Sequence, residues 1–284
     1  MRTDLARYAR QVLGPAQVVG DRSWRHGVAG VLEVRDADGA TWFVKGHAEP
    51  ERYRRELAAY RRWVPGLGGQ APRLRAYDDR RLALLLSAVP GEAGLSHVTD
   101  PQVQHAAGVL LRRLHGTETL PPWTDLAAAK LDELDRLSDR CDGLLGRREL
   151  DFVRAGLRDI SGVPAPARVP CHLDYGPRNW LVARADQPCG EERVRVIDFE
   201  WAGPEVWVND LNRLYFGPWR DRPDLADAFL AGYGRTLTDT DRAILHACGA
   251  LTAVFIVVWA HGRGEPGFAE AWRQNLHRLM DGWR

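Results

Sequence analysis

The run His172-Leu173-Asp174-Tyr175-Gly176-Pro177-Arg178-Asn179 is followed, nineteen positions after its asparagine, by Asp198 in Val196-Ile197-Asp198-Phe199-Glu200. A carboxylate, an amide and a second carboxylate in that order suit phosphoryl transfer. That reaction asks little covalent chemistry of a protein: an acid to orient the acceptor hydroxyl, hard oxygen ligands for magnesium, and positive charge on the phosphates. Asp174 stands five residues before Asn179 in a Gly-Pro loop, so one loop can serve both acceptor and metal. Asp198 ends a short β-branched stretch, Val194 to Ile197, which reads as a strand carrying a second oxygen ligand. Taken singly, each segment reads as well as a capped turn or a strand-end acid. The ordered pair is what points to magnesium-nucleotide chemistry.

Other elements must hold these groups. Val31 to Arg35, the turn Asp36-Ala37-Asp38-Gly39 and the alternating Ala40-Thr41-Trp42-Phe43-Val44-Lys45 predict a β-hairpin. Lys45 ends it as one of only two lysines among 39 basic residues, a position where a compact ammonium is wanted in an arginine-rich chain. Pro50 leads a helical stretch from Glu51 to Tyr60. Leu82 to Gly91 is an apolar strand ending in a turn, and Gln102 to Leu114 a helix stopped near Gly116. Leu126 to Ile160 predicts two helices broken near Gly143 and Gly146. The Pro-rich stretch from Val163 to Pro170 predicts an extended connector. Ala247 to Ala260 has the length of a buried core helix, short of the ~20 residues of a bilayer span.

These segments resemble the catalytic and metal-binding loops of the aminoglycoside phosphotransferase family, within the wider protein-kinase-like fold, over nearly the whole chain. The resemblance implies an α+β, two-lobed architecture. A small N-terminal antiparallel β-sheet lobe with one helix and the hinge (residues 1–90) binds nucleotide. A large, mainly helical C-terminal lobe (residues 91–284) carries catalysis and substrate. It implies that Asp174 orients the acceptor, that Asn179 and Asp198 ligate Mg2+, that Lys45 holds the phosphates of ATP or GTP, and that Glu56 orients Lys45. Backbone near Ser87 to Val89 would meet the purine edge. His172 and His115 are implied as packed residues, and Asp210 as a brace of the catalytic loop. Ser23 has two readings, a donor to a β-phosphate or a local turn cap. Arg178 also has two, a phosphate contact or a partner for Glu200. The stretch Val19 to Gly30 lacks the protein-kinase glycine signature, and Glu205 departs from the family's glycine-aspartate-proline turn.

A formal charge of +1 over 284 residues, with arginines interspersed among acids, gives no case for nucleic acid or membrane partners. The amino terminus has no secretory apolar stretch, so a cytoplasmic place is expected. Cys141, Cys171, Cys189 and Cys248 lack metal-ligand spacing and are expected reduced. Phe199 is followed by Glu200 rather than glycine, which argues against protein-kinase activity. The expected partner is a small hydroxylated acceptor, an aminoglycoside or a nucleoside- or sugar-containing antibiotic, with Trp201, Trp207, Trp219, Trp259 and Tyr215 as candidate stacking faces. Two alternatives stand beside it: a housekeeping kinase of a sugar, amino alcohol or homoserine-like metabolite, and a nucleotide-binding pseudokinase acting through a protein partner. A monomer and a homodimer are equally compatible with the sequence.

Overall fold

The computed structural model describes residues 2–23, 29–141, 143–164, 166–184 and 190–282. In chain order the elements are α1 (Arg2–Leu13), β1 (Ala16–Asp21), β2 (Ala29–Asp36), β3 (Thr41–His47), α2 (Pro50–Arg62), β4 (Leu74–Asp78), β5 (Ala83–Ser87), β6 (Glu92–Ala93), α3 (Pro101–His115), α4 (Leu126–Ser138), α5 (Arg147–Asp159), β7 (Val169–Cys171), β8 (Trp180–Val182), β9 (Val194–Val196), β10 (Gly203–Glu205), α6 (Asn212–Tyr215), α7 (Pro223–Tyr233), α8 (Asp239–His261) and α9 (Pro266–Met280). The N-terminal part is built on an antiparallel sheet and the C-terminal part is helical, as expected. By contact the chain forms two compact units. The first holds Met1–Glu118, Pro170–Gly203 and Arg222–Gly234, and the second holds Thr119–Val169, Pro204–Asp221 and Arg235–Arg284.

In the first unit a five-stranded sheet runs in the order β1-β2-β3-β5-β4. The β2–β3 hairpin closes where the sequence put it: the Asp36 carboxylate accepts the Asp38 and Ala40 amides, and Gly39 takes a left-handed φ of +83°. Successive side chains of a strand face opposite ways. Val44 therefore enters a core with Leu32, Val34, Ala83 and Leu85, while Lys45, paired in register with Val31 and Leu84, faces away from it. That core is covered by Leu5, Tyr8 and Ala9 of α1, a helix additional to the single one expected beside this sheet. The approach is close at Gly46, where a Cβ would lie 2.7 Å from a Leu5 methyl.

The same unit contains a small sheet ordered β6-β8-β9 and the helix pair α3 and α7. His115 is buried at the end of α3, its Nδ1 2.8 Å from the Tyr233 hydroxyl, the packed role expected for it.

In the second unit α8 packs against α4, α5 and α9. The break between α4 and α5 falls at the predicted glycines. Helix α8 is 23 residues long rather than 14 as its apolar run suggested, because Thr238 and Asp241 form a reciprocal capping box that starts it eight residues earlier. Among the described residues it is the one helix long and apolar enough to cross a bilayer, and 72% of its apolar window is buried, as in a core helix.

Candidate active site

The loop from His172 to Asn179 and Asp198 are stitched together through the backbone of Ile197. Its N–H donates to the Asn179 carbonyl at 3.0 Å, continuing the β8–β9 pairing, and its own carbonyl lies 3.0 Å from His172 Nε2. His172 Nδ1 accepts the Asp174 amide at 3.3 Å, so its two ring nitrogens face the two backbone segments. Asn179 ends a 3₁₀ turn opened by Pro177, and its side-chain Nδ2 donates to both the Asp174 carbonyl, 3.0 Å, and carboxylate, 2.9 Å. That orientation leaves the Asn179 amide oxygen unused by Asp174. Leu173 and Asp198 hold left-handed φ values of +61° and +69°, conformations that cost L-residues of order 1–3 kcal/mol and persist only where neighbours impose them. Phe199 supplies one such restraint: it is fully buried, with ring centroids 4.8 Å from His172 and 5.5 Å from Tyr60.

Lys45 reaches this segment from β3. Its Nζ lies 2.5 Å from Asp198, 2.8 Å from Glu56 and 3.3 Å from Glu200. Burial works against its charge, yet Asp198, Glu56 and Glu200 together raise its pKa well above the ordinary lysine value. Burial likewise opposes ionisation of Glu56 and Asp198, and Lys45 together with the nearby imidazoles outweighs it, leaving each below its ordinary value. His47, two residues further along the same strand face, places Nε2 2.8 Å from the Glu56 oxygen that Lys45 also contacts. His47, Glu56 and Glu200 converge as a metal could require, but the Lys45 ammonium already sits among these acids as their cation. Around Asp198 and Asn179, in contrast, the donors are carboxylate and amide oxygens, the set that hard Mg2+ prefers, so the residues fit the ion.

The remaining candidates are placed as follows. Ser23 caps locally: its Oγ accepts the Val31 amide at 2.9 Å and its N–H donates to Asp21. Residues 24–28, the tip of the expected nucleotide-covering loop, lie outside the described residues. The Ser87 and Ala88 amides donate to Arg73 and Thr41, and Ser87 Oγ accepts from Arg73, leaving the Val89 amide as the one of the three without a partner among the described residues. A cavity of about 700 Å³ adjoins Ser87 to Pro90, but it is lined by Tyr60, Val64 and Gly68 on its other side and by none of Lys45, Asp174, Asn179 or Asp198. Arg178 is exposed, and Glu200, offered to it on sequence, binds Arg52 instead at 2.7 Å. Asp210 belongs to the second unit, buried in the 3₁₀ turn Trp207–Leu211.

Two sequence expectations about substrate contacts change. Trp201, Trp207 and Trp259 each carry a guanidinium over the ring, from Arg52, Arg235 and Arg263 at 4.1, 4.6 and 5.0 Å, so those faces are already used. Trp219 is core, and the Tyr215 hydroxyl is held 2.7 Å from His246 Nε2. Cys141, Cys171 and Cys248 are buried free thiols, the last pushed up to about 12 by burial, while Cys189 lies outside the described residues.

Sequence reasoning missed Arg52, Tyr60 and His47. The signal was present: Arg52, Glu56 and Tyr60 recur every four residues on one helix face, and His47 alternates with Lys45 on one strand face.

Residues 25–246 match the model of a phosphotransferase enzyme family. No curated protein matches the sequence. Among solved structures, the fold is similar to that of a macrolide 2'-phosphotransferase from Brachybacterium faecium, at 17% identity and a TM-score of 0.65 over 96% of this chain and 97% of the other. A choline/ethanolamine kinase family protein from Mesorhizobium loti aligns at 18% identity and 0.69 over 99% and 95%. Aminoglycoside 2'-phosphotransferase-IIIa in its GDP complex aligns at 12% and 0.66 over 96% and 95%.

Proposed function

Because this chain belongs to the phosphotransferase enzyme family, we propose that it transfers the terminal phosphoryl group of a purine nucleoside triphosphate, ATP or GTP, to a hydroxyl of a small molecule. The observation that carries this reading is the meeting of Lys45 and Asp198 at 2.5 Å, on a segment tied through Ile197 to the loop of Asp174 and Asn179. The magnesium nucleotide, when bound, supplies the phosphoryl group and the metal's share of charge neutralisation.

In this reading Lys45, oriented by Glu56, leaves Asp198 to bind the α- and β-phosphates. Asp198 and Asn179 hold the metal through oxygen. Asp174, held by Asn179, accepts a hydrogen bond from the acceptor hydroxyl and aims it in line with the phosphorus. His172 fixes the backbone that presents Asp174 and Asp198, and Asp210 is a structural brace. The Val89 amide is the hinge donor best placed to read a purine edge. Residues 1–90 handle nucleotide and 91–284 acceptor, in a cytoplasmic enzyme. The GDP complex of one structural relative supports nucleotide use. Macrolide, aminoglycoside and choline or ethanolamine chemistry, named for the relatives, sets the acceptor classes to test.

The test is acceptor-dependent ADP or GDP release across macrolides, aminoglycosides, nucleoside antibiotics, sugars and amino alcohols, with Asp174→Asn as control. Turnover lost in that variant supports the reading. Nucleotide binding without turnover on any acceptor would move weight to a non-catalytic, partner-directed role.

A further inference from the structure

Helix α2 presents Arg52, Glu56 and Tyr60 at four-residue spacing, one above the other on a single face. Each meets the site differently. Tyr60 packs edge-on to Phe199, Glu56 contacts Lys45 at 2.8 Å, and Arg52 donates from one guanidinium nitrogen to Glu200 at 2.7 Å. The short segment from Asp198 to Trp201 is therefore held by α2 at three consecutive positions beyond the metal-side acid. Phe199 lies against Tyr60, Glu200 is bound by Arg52, and the Trp201 ring lies 4.1 Å beneath the same guanidinium. Arg52 itself is 5% exposed and fixed from behind by Glu49 at 2.8 Å.

Glu200 has one oxygen on Arg52 and the other 3.3 Å from Lys45 Nζ, farther than the 2.5 and 2.8 Å of Asp198 and Glu56. An acid at that distance has two opposite consequences. It helps keep the buried ammonium charged, and it competes with phosphate for the same ammonium. Drawing the Glu200 charge onto a guanidinium lessens the competition and keeps the third acid at arm's length.

We infer that Arg52 and Glu200 form a latch of positioning residues that joins α2 to the Asp198 segment and leaves Lys45 free to exchange Asp198 for nucleotide phosphate. The latch rests on the nucleotide-binding reading above. Neither residue touches the reacting atoms. The latch acts through Lys45 and through the backbone position of Asp198, whose left-handed φ needs restraint from its neighbours. It makes the lysine, its helix carboxylate and the metal-side acid one preassembled group.

The experiment is a double-mutant cycle read by equilibrium binding of a fluorescent ATP analogue with magnesium, alongside thermal unfolding. The full chain is used as wild type, Arg52→Gln, Glu200→Gln and the double variant. Each single variant is expected to weaken binding about tenfold, and the double variant to be no worse than either single one, since residues in one ion-pair network are non-additive. Arg52→Lys keeps the charge and is expected to restore binding to within about twofold of wild type on the same coupling argument. Additive losses, or glutamine variants that bind as wild type does, overturn the latch. So does a loss in Arg52→Lys as large as in Arg52→Gln, which would assign the effect to packing on Trp201. If a glutamine variant fails to fold, binding by the Arg52→Lys protein decides by the same criterion. A wild-type protein that binds no nucleotide refutes the underlying reading instead, and the latch falls with it.

Discussion

Asn179 holds Asp174 by two hydrogen bonds from one nitrogen, 3.0 Å to its carbonyl and 2.9 Å to its carboxylate. The residue proposed to orient the acceptor is thereby positioned by one proposed to bind metal, so acid and ion share a frame. Replacing Asp174 with asparagine removes the anion while keeping the shape. Its contact with the acceptor is made chiefly in the transition state, so kcat is expected to fall ~10²–10⁴-fold with nucleotide affinity nearly unchanged. Steady-state kinetics with the acceptor found by screening, paired with nucleotide titration, checks this. A matched loss of nucleotide binding would place Asp174 elsewhere in the reaction.

Lys45 is the buried counter-charge of Glu56 and Asp198, so Lys45→Met should unfold more easily by about 3–5 kcal/mol at neutral pH, the usual cost of orphaning buried charge. The pH dependence separates this from lost packing. In the wild type both acids titrate below their ordinary 4.5 and 3.8, so their contribution is present above those values and is lost as pH falls through the lowered ones. The lysine, raised above 10.5, contributes fully below that pH and loses its contribution only as pH climbs through its raised value. Without the ammonium, burial is the largest influence left on the acids and raises them against the smaller pull of the nearby imidazoles. The deficit of Lys45→Met should therefore shrink between about pH 7 and pH 5. Urea unfolding of both proteins across that range gives the answer, and a constant deficit would contradict the electrostatic account.

The local part of this architecture was legible because it is local. The hairpin turn at Asp36 to Gly39, the proline-led start of α2 and the glycine break between α4 and α5 are set by neighbouring residues. The order of Asp174, Asn179 and Asp198 pointed to the proposed chemistry for a related reason: a loop and a strand end fix their own geometry. Pairings across long separations were not legible. Arg193 and Arg195 stand nearer Glu200 in sequence, and only the placement of α2 selects Arg52, 148 positions away, over Arg178. The first helix was passed over because its amphipathic pattern is short, and its partner, the apolar face holding Val44 and Leu85, exists only once the sheet has formed. The scarcity of lysine marks both sites where a buried ammonium meets carboxylates. Lys130, the other lysine, is also buried among acids.

Lys130 extends from α4 to Glu205 at 2.5 Å and Glu133 at 3.2 Å, and Glu205 also accepts from the Trp123 indole and the Val206 amide. Burial opposes the ammonium, but Glu205 and then Glu133 raise its pKa overall. This explains Glu205, whose presence in the turn after Asp198 departs from the family pattern: it is the acid of a buried pair inside the second unit. Lys130→Met should destabilise by about 3–5 kcal/mol, and adding Glu205→Gln should recover much of that loss by removing the orphaned charge. Nucleotide affinity should not move in either protein. Urea melts and an ATP titration check both statements, and a double variant as unstable as the sum of the singles would show the two residues to be independent.

Helices α3 and α7 approach each other closely at two glycines, beside the His115–Tyr233 contact. A Cβ on Gly108 would lie 2.1 Å from the Phe229 carbonyl oxygen, and one on Gly232 2.0 Å from that of His105. Both obstacles are backbone, which cannot swing aside as a side-chain tip does. Gly108→Ala must therefore push the helices apart, even though alanine is the better helix former by about 1 kcal/mol. Overpacking of this kind costs about 1–3 kcal/mol beyond that gain. Separation of α3 from α7 also disturbs Tyr175, whose hydroxyl donates to the Ala107 carbonyl at 2.7 Å and whose ring lies 6.3 Å from Phe229. Tyr175 follows Asp174 directly, so Gly108→Ala is expected to lower kcat as well as the melting temperature, with nucleotide affinity retained. Calorimetry with single-turnover kinetics tests the pair of effects. A variant that melts early but turns over normally would show that the α3–α7 contact supports the fold without setting the position of Asp174.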